Sequence, residues 1–300
     1  MEIKTMDYVA QLKNLPKKKE FFIGFDSDGC VFDTMEIKQK ECFCPAFIKH
    51  FKMQAASKYA REVWEFVNLY SKDRGCNRFL AVQKALSLMR KRKVFKDRGI
   101  TVPEMKSLDT WLKEETKLGN PTLEAKVKSS GDKELEMLFA WSKEVNVRIA
   151  DMVYGCPPFP GVKTVLDKGK VKADMIVVSQ TPLEALKREW DENKIDHYLE
   201  CIAGQEHGTK TEHLMFATIG KGYGENKVLM VGDAYGDLKA AQGSKALFFP
   251  IIPGDEEASW KQFAEEGIEK FFKGTFAGDY QNKLLAALEK ALPELPPWKD

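Results

Sequence analysis

The stretch FFIGFDSDGCVFDT, residues 21–34, decides how this chain is read. Phe21 to Phe25 is a short apolar run that stops at Asp26, and Asp28-Gly29 follows as a turn signal. A run of that length bounded by turn residues predicts a strand buried on both faces, the kind found in parallel sheets. The strand period of two sends the side chains of Asp26 and Asp28 to the same side of the chain. Two carboxylates so placed can divide labour, one as an ionised nucleophile and the other, its pKa raised by its neighbour, as a proton donor. The pair alone fits a metal site or an ordinary turn equally well, so the rest of the chain has to decide.

After Asp33 the texture changes. Pro45 to Tyr70, Asn77 to Phe95, Pro103 to Lys117 and Lys133 to Val153 carry apolar residues at helical spacing with few strand-like runs. This helical block closes at Gly155-Cys156-Pro157-Pro158-Phe159-Pro160-Gly161, whose proline and glycine density marks a stiff turn or linker. A second rhythm then begins, in which short buried strands at Met175 to Val178, Leu199 to Ala203, Val228 to Val231 and Ala246 to Phe249 alternate with helical stretches at Pro182 to Asn193, Lys210 to Ile219 and Asp237 to Gln242. Alternation of that kind implies a parallel sheet. If the Phe21 strand joins it, the helical block is an insertion between the first strand and the remainder. Trp260 to Phe272 and Gln281 to Leu292 read as helices on the sheet's flank.

Composition sets the outer limits. The 300 residues exceed the length of a usual single domain, about 100 to 200 residues, so two domains or one with a large insertion are expected. With 43% hydrophobic residues, 31% charged residues and a net charge of +2, the balance is that of an ordinary globular protein, and nucleic acid is not an expected partner. The longest apolar stretch, Ala246 to Pro253, is far short of the roughly 20 residues that cross a bilayer. The N-terminal segment, with Glu2, Lys4, Asp7, Lys13 and Lys17 to Lys19, lacks the apolar core of a secretory signal, which predicts a cytoplasmic protein. Cys30, Cys42, Cys44, Cys76, Cys156 and Cys201 are scattered, which favours free thiols over a disulfide framework.

The other strand ends supply the deciding pattern. Met175 to Val178 runs into Ser179 in VVSQTP, Val228 to Val231 runs into Gly232-Asp233-Ala234-Tyr235-Gly236-Asp237, and Lys210 opens a helix in GTKTEH. Ligands of open parallel sheets bind outside such strand ends. DSDGCVFDT, VVSQTP, the isolated Lys210 and VGDAYGD, in that order, resemble the four motifs of the haloacid dehalogenase superfamily, and PFPGV at Pro158 to Val162 is similar to the segment that opens the second half of its core in small-molecule phosphatases. The resemblance implies an α/β fold, a Rossmann-like core of residues 1–33 and 159–300, with a helical cap at 34–158.

It also implies a site. Asp26 becomes the nucleophile that forms an aspartyl-phosphate, and Asp28 the acid that protonates the leaving oxygen and then activates water. Ser179 and Lys210 hold the phosphoryl group, while Asp26, the main-chain carbonyl of Asp28, Asp233 and Asp237 surround an Mg²⁺ ion, Asp237 through its outer shell. Ionised Asp26, Asp233 and Asp237 balance the metal and Lys210, so a fourth charge at Asp28 is disfavoured and its pKa should be raised. Ser179 stands where threonine is common, Gln180 where asparagine often follows, and Cys30 where valine or threonine is usual; no catalytic group is lost. Dehalogenases proper lack the second acid, so Asp28 points to phosphoryl transfer.

The expected activity is an Mg²⁺-dependent phosphomonoester hydrolase for a small phosphorylated metabolite. A phosphomutase with the same intermediate, or a non-catalytic binder of phosphate esters, are the alternatives. Arg74 and Arg78 in DRGCNRF, on a turn between two helices, are the candidate substrate contacts, because guanidinium forks suit phosphate and carboxylate groups. The basic run Arg90 to Lys93 reads as a solvated helix face, and His207 as a loop or surface residue.

Overall fold

Uninterrupted apolar composition becomes a sheet covered on both faces. The computed structural model describes residues 7–299. Among them β1 (Phe21–Phe25), β2 (Ala173–Val178), β3 (Cys201–Ala203), β4 (Val228–Gly232) and β5 (Leu247–Pro250) form one parallel sheet in the order β3-β2-β1-β4-β5. Every residue of β1 and β2 is buried, as strands flanked by helices on both faces must be. Phe25 lies opposite Val177 of β2 and Val231 of β4, so the three central strands finish level with one another. Asp26, Ser179 and Asp233 therefore leave the sheet at the same edge.

Helices Leu183–Glu192, Lys210–Thr218 and Tyr235–Gly243 fall where the sequence pattern puts them, within one or two residues of each boundary. The helix Val162–Lys172 was not legible, because Lys163, Lys168, Lys170 and Gly169 break up its apolar face. Gly169 is what its packing requires: a Cβ there would stand 2.6 Å from the Met175 sulfur of β2.

The chain divides into two compact units. One holds the sheet, with the described residues up to Thr34 and Gly155–Ala291. The other is the helical insertion, Met35–Tyr154, together with residues 292–299. Its core is aromatic, with Trp64 stacked on Phe43 and meeting Trp141 edge-on at 5.9 Å. Pro45 to Tyr70, expected to be one helical stretch, breaks at Phe51–Met53, where Lys52 takes a left-handed φ of 57°. The helix Asn120–Ser130 is an addition to the expected set.

Two boundary expectations need correction. Residues 155–158 belong with the sheet, because Phe32 and Pro158 form a bridge, Phe159 N–H donates to the Val31 carbonyl at 2.9 Å and Gly155 N–H donates to Glu192 at 2.8 Å. The C-terminal segment, expected in the core, belongs with the helical unit: Lys72 N–H donates to the Pro293 carbonyl, and Trp298 packs edge-on against Phe66 and beneath the Arg92 guanidinium at 4.5 Å. No helix among the described residues is long and apolar enough to cross a membrane.

Gly24, in the middle of β1, gives a test of the packing. A Cβ there would meet Leu214 and Val178 at 2.9 Å each. Gly24→Ala is expected to cost about 1–3 kcal/mol through overpacking, read as a lower urea midpoint.

Candidate active site

Strand termini and helix beginnings bring the polar groups together. Asp26 directly follows β1, and its own N–H is tied to the Val231 carbonyl of β4 at 2.9 Å. One oxygen of its carboxylate, Oδ1, accepts the Ser27 N–H at 2.8 Å; the other, Oδ2, lies 2.8 Å from the Lys210 ammonium. Lys210 begins a helix capped by Thr209, whose hydroxyl accepts the Glu212 N–H while Glu212 accepts the Thr209 N–H. From that fixed start its Nζ also donates to Asp237 Oδ1 at 2.6 Å.

Asp237 sits in the first turn of the Tyr235–Gly243 helix, fully buried, with its second oxygen accepting the Ala234 N–H at 3.1 Å. Gly232 makes room for it, since a Cβ at 232 would fall 2.4 Å from Asp237 Cγ. Asp26, Asp233 and Asp237 are all buried and each offers a carboxylate oxygen within 4.8 Å of the others.

The electrostatics follow from that crowding. Burial, then the neighbouring Asp237 charge, pushes Asp26 well above the usual carboxylate range, against the pull of Lys210. Burial likewise raises Asp237. Burial would depress Lys210, but the Asp237 and Asp26 charges outweigh it and hold the ammonium above its ordinary value. Three buried carboxylates converge here, two of them on the Lys210 ammonium, and clustered oxygen donors of negative charge suit a hard divalent cation. The donor set therefore fits the magnesium ion that the sequence motifs imply.

Asp28 occupies a different environment two residues away. It is only half-buried, and its two oxygens accept the Thr34 and Thr181 hydroxyls, the latter at 2.7 Å. Ser179, buried at the end of β2, donates its N–H to the Ala203 carbonyl at 3.0 Å, while its hydroxyl oxygen accepts the Thr181 N–H at 3.2 Å, leaving the hydroxyl proton to be donated. Gln180 donates to the Gly208 carbonyl at 2.8 Å, and Leu183 N–H donates to Glu206 at 2.9 Å, tying this loop to the one that presents Lys210.

The sequence reading passed over Thr34 and Thr181. Both were visible as hydroxyls beside their motifs, in VFDT and SQTP, but only the tertiary fold aims them at Asp28. His207 is not the loop or surface residue expected: it is fully buried, packed on Tyr8, with Nδ1 accepting the Gly204 N–H. In the helical unit Arg74 is buried, its Nη1 donating to the Leu69 carbonyl across its own turn. Arg78 donates to Ser142 and Asn146 and lies over the Phe43 ring at 5.0 Å, and burial lowers its pKa to about 10.

The sequence model of the haloacid dehalogenase-like hydrolases matches residues 99–249, half of the chain. This chain belongs to that family. Ser179, Lys210, Asp233 and Asp237 lie inside the match, whereas Asp26 and Asp28 precede it and join the site through the geometry above. No curated protein sequence matches the chain.

Among solved structures, a candidate phosphoglycolate phosphatase from Lactobacillus delbrueckii subsp. bulgaricus is similar at a TM-score of 0.50 and 15% identity, over 87% of this chain and 100% of that one. A haloacid dehalogenase-like hydrolase from Streptococcus pneumoniae is similar at 0.41 and 13%, over 80% and 90% of the two chains. A candidate beta-phosphoglucomutase from Thermotoga maritima is similar at 0.38 and 15%, over 77% and 84%. At these identities the first of the three shows the fold alone.

His213, buried in the helix that Lys210 opens, links this region to pH. Burial, with the neighbouring His207 and Lys210 charges, lowers its pKa from 6.5 to about 4. The unfolded chain thus takes up a proton that the folded one refuses. The stability this gives is full above pH 6.5 and declines as pH falls towards 4. Urea midpoints at pH 7 and pH 5 should differ less for His213→Gln than for the native chain.

Proposed function

We propose that the chain is an Mg²⁺-dependent phosphomonoester hydrolase acting on a small phosphorylated metabolite through an aspartyl-phosphate at Asp26, with the helical insertion as its cap. The observation that carries this reading is the unequal treatment of two carboxylates two residues apart. Asp26 is paired with an ammonium among buried acids, whereas Asp28, at a more open position, accepts the hydroxyls of Thr34 and Thr181. With the charge of a bound magnesium ion added to that of Lys210, Asp26 would be ionised and able to attack, which leaves Asp28 to carry the proton.

In this reading an Asp26 oxygen bonds to phosphorus as the ester's P–O bond breaks, and the Asp28 carboxyl gives its proton to the departing oxygen. Asp28 then takes a proton from water, whose oxygen displaces Asp26 and releases inorganic phosphate. The Ser179 hydroxyl and Lys210 hold the phosphoryl oxygens throughout, and Lys210 is already positioned by Asp237. Asp26, Asp233, Asp237 and the Asp28 carbonyl would hold the magnesium ion, which when bound supplies positive charge to the phosphoryl oxygens. Arg78 is the proposed contact for the organic part of the ester. Arg74, turned onto its own backbone, is assigned to the turn instead.

Phosphate release from a panel of small phosphate esters, with and without Mg²⁺, tests the proposal. Release should require the metal and vanish in Asp26→Asn. Asp28→Asn should slow it by about 10²–10⁴-fold, the usual contribution of a general acid and base. An isomerised ester without free phosphate would identify a mutase instead, and binding without turnover at any Mg²⁺ concentration a non-catalytic protein.

A further inference from the structure

The residue between the two aspartates points the other way. Strand alternation sends Ser27 to the opposite face of the chain from Asp26 and Asp28, where it is fully buried against the Leu183–Glu192 helix. There the Trp190 indole N–H donates to the Ser27 hydroxyl oxygen at 3.0 Å, and the Ser27 hydroxyl donates to Glu189 Oε2 at 2.9 Å.

The backbone of Ser27 is committed as well. Its N–H donates to Asp26 Oδ1 at 2.8 Å, and its carbonyl accepts the Val31 and Phe32 N–H groups at 2.9 and 3.1 Å. The Phe32 ring then closes the loop by meeting Trp190 edge-on at 5.5 Å.

We infer that Glu189 and Trp190 are positioning residues, which set the turn carrying Asp26 and Asp28 by fixing the Ser27 hydroxyl from behind. A hydroxyl has one proton to give. With the indole occupying a lone pair and the carboxylate receiving that proton, the Ser27 side chain has a single orientation. An apolar residue would fill this buried space without desolvating a hydroxyl, so what the polar contact adds is direction.

The same helix begins just after Thr181, which holds Asp28. The acid is thereby constrained from the residues that lead into this helix, and the nucleophile's loop from its last turn. Displacements of about 1 Å in such constellations can cost on the order of 100-fold in rate.

The inference rests on the phosphohydrolase reading and is tested in the full chain on the best ester, with Mg²⁺, alongside thermal melts. Ser27→Ala and Glu189→Ala should lower kcat by about 10- to 100-fold, as loss of supporting contacts does around such sites. KM should stay within about twofold, because the groups that bind phosphate are untouched. Glu189→Gln, which keeps an oxygen to accept the Ser27 proton, should recover most of the loss. Trp190→Phe, which removes the indole donor, should fall on the same side as Ser27→Ala and stands in for it if that variant does not fold. Native kcat in Ser27→Ala and Glu189→Ala, an equal loss in Glu189→Gln, or a loss that follows the melting temperature with KM rising in step would overturn the inference while leaving the phosphatase intact. No turnover of any ester by the native chain would overturn the phosphohydrolase reading itself, and this inference with it.

Discussion

The contact on which the rest depends is the Lys210 ammonium shared between Asp26 and Asp237. Three carboxylates crowded into a buried space repel one another and lose the hydration that would tolerate them. The Lys210 ammonium, fixed between two of them, offsets part of that repulsion and holds both in place. Its position depends in turn on Thr209 and Glu212, which fix where the helix starts, and on Gly232, which lets Asp237 come close to the end of β4. The chemistry is thus set by a helix cap and a missing side chain as much as by the acids themselves.

The sheet order explains how segments so distant in sequence reach that cation. With β1 at the centre between β2 and β4, the ends of strands separated by the whole helical insertion are adjacent and level. The insertion leaves after Thr34 and the chain returns at Gly155, and the returning segment is bound to the loop after β1 through Phe32, Pro158 and the Phe159 N–H. That junction seals the core at the point where it is interrupted, so β1 and β2 can pair as though nothing lay between them.

How much of this could be read beforehand varied with the physics of each part. The strands were legible because burial on both faces leaves a plain apolar run; Asp26, Ser179 and Asp233 stood out because each follows such a run, Asp28 and Asp237 because they lie a few residues further on in the same motifs, and Lys210 because it opens a helix in GTKTEH. The Val162–Lys172 helix was hidden, since it lies flat on the sheet by virtue of Gly169 and shows no clean apolar stripe. The docking of residues 292–299 was hidden for another reason: Trp298 finds its partners, Phe66 and Arg92, more than 200 positions upstream, and no local pattern encodes that. Thr34 and Thr181 fall between these cases, visible as hydroxyls but without a direction until the fold supplies one.

Direction is also what separates Asp26 from Asp28. Their spacing makes them equivalent by strand geometry, and the two environments that distinguish them come from different parts of the chain. Lys210 and Asp237, both placed by helix beginnings, surround Asp26; Thr34, just before the insertion, and Thr181, just after β2, hold Asp28. The threonines belong to loops and the lysine and acid to helix beginnings, and the hydrogen bonds of Gln180 and Leu183 tie the Thr181 loop to the one that presents Lys210. In the proposed mechanism one carboxylate is held still while a proton comes and goes on its neighbour, and different partners for the two serve that division of labour.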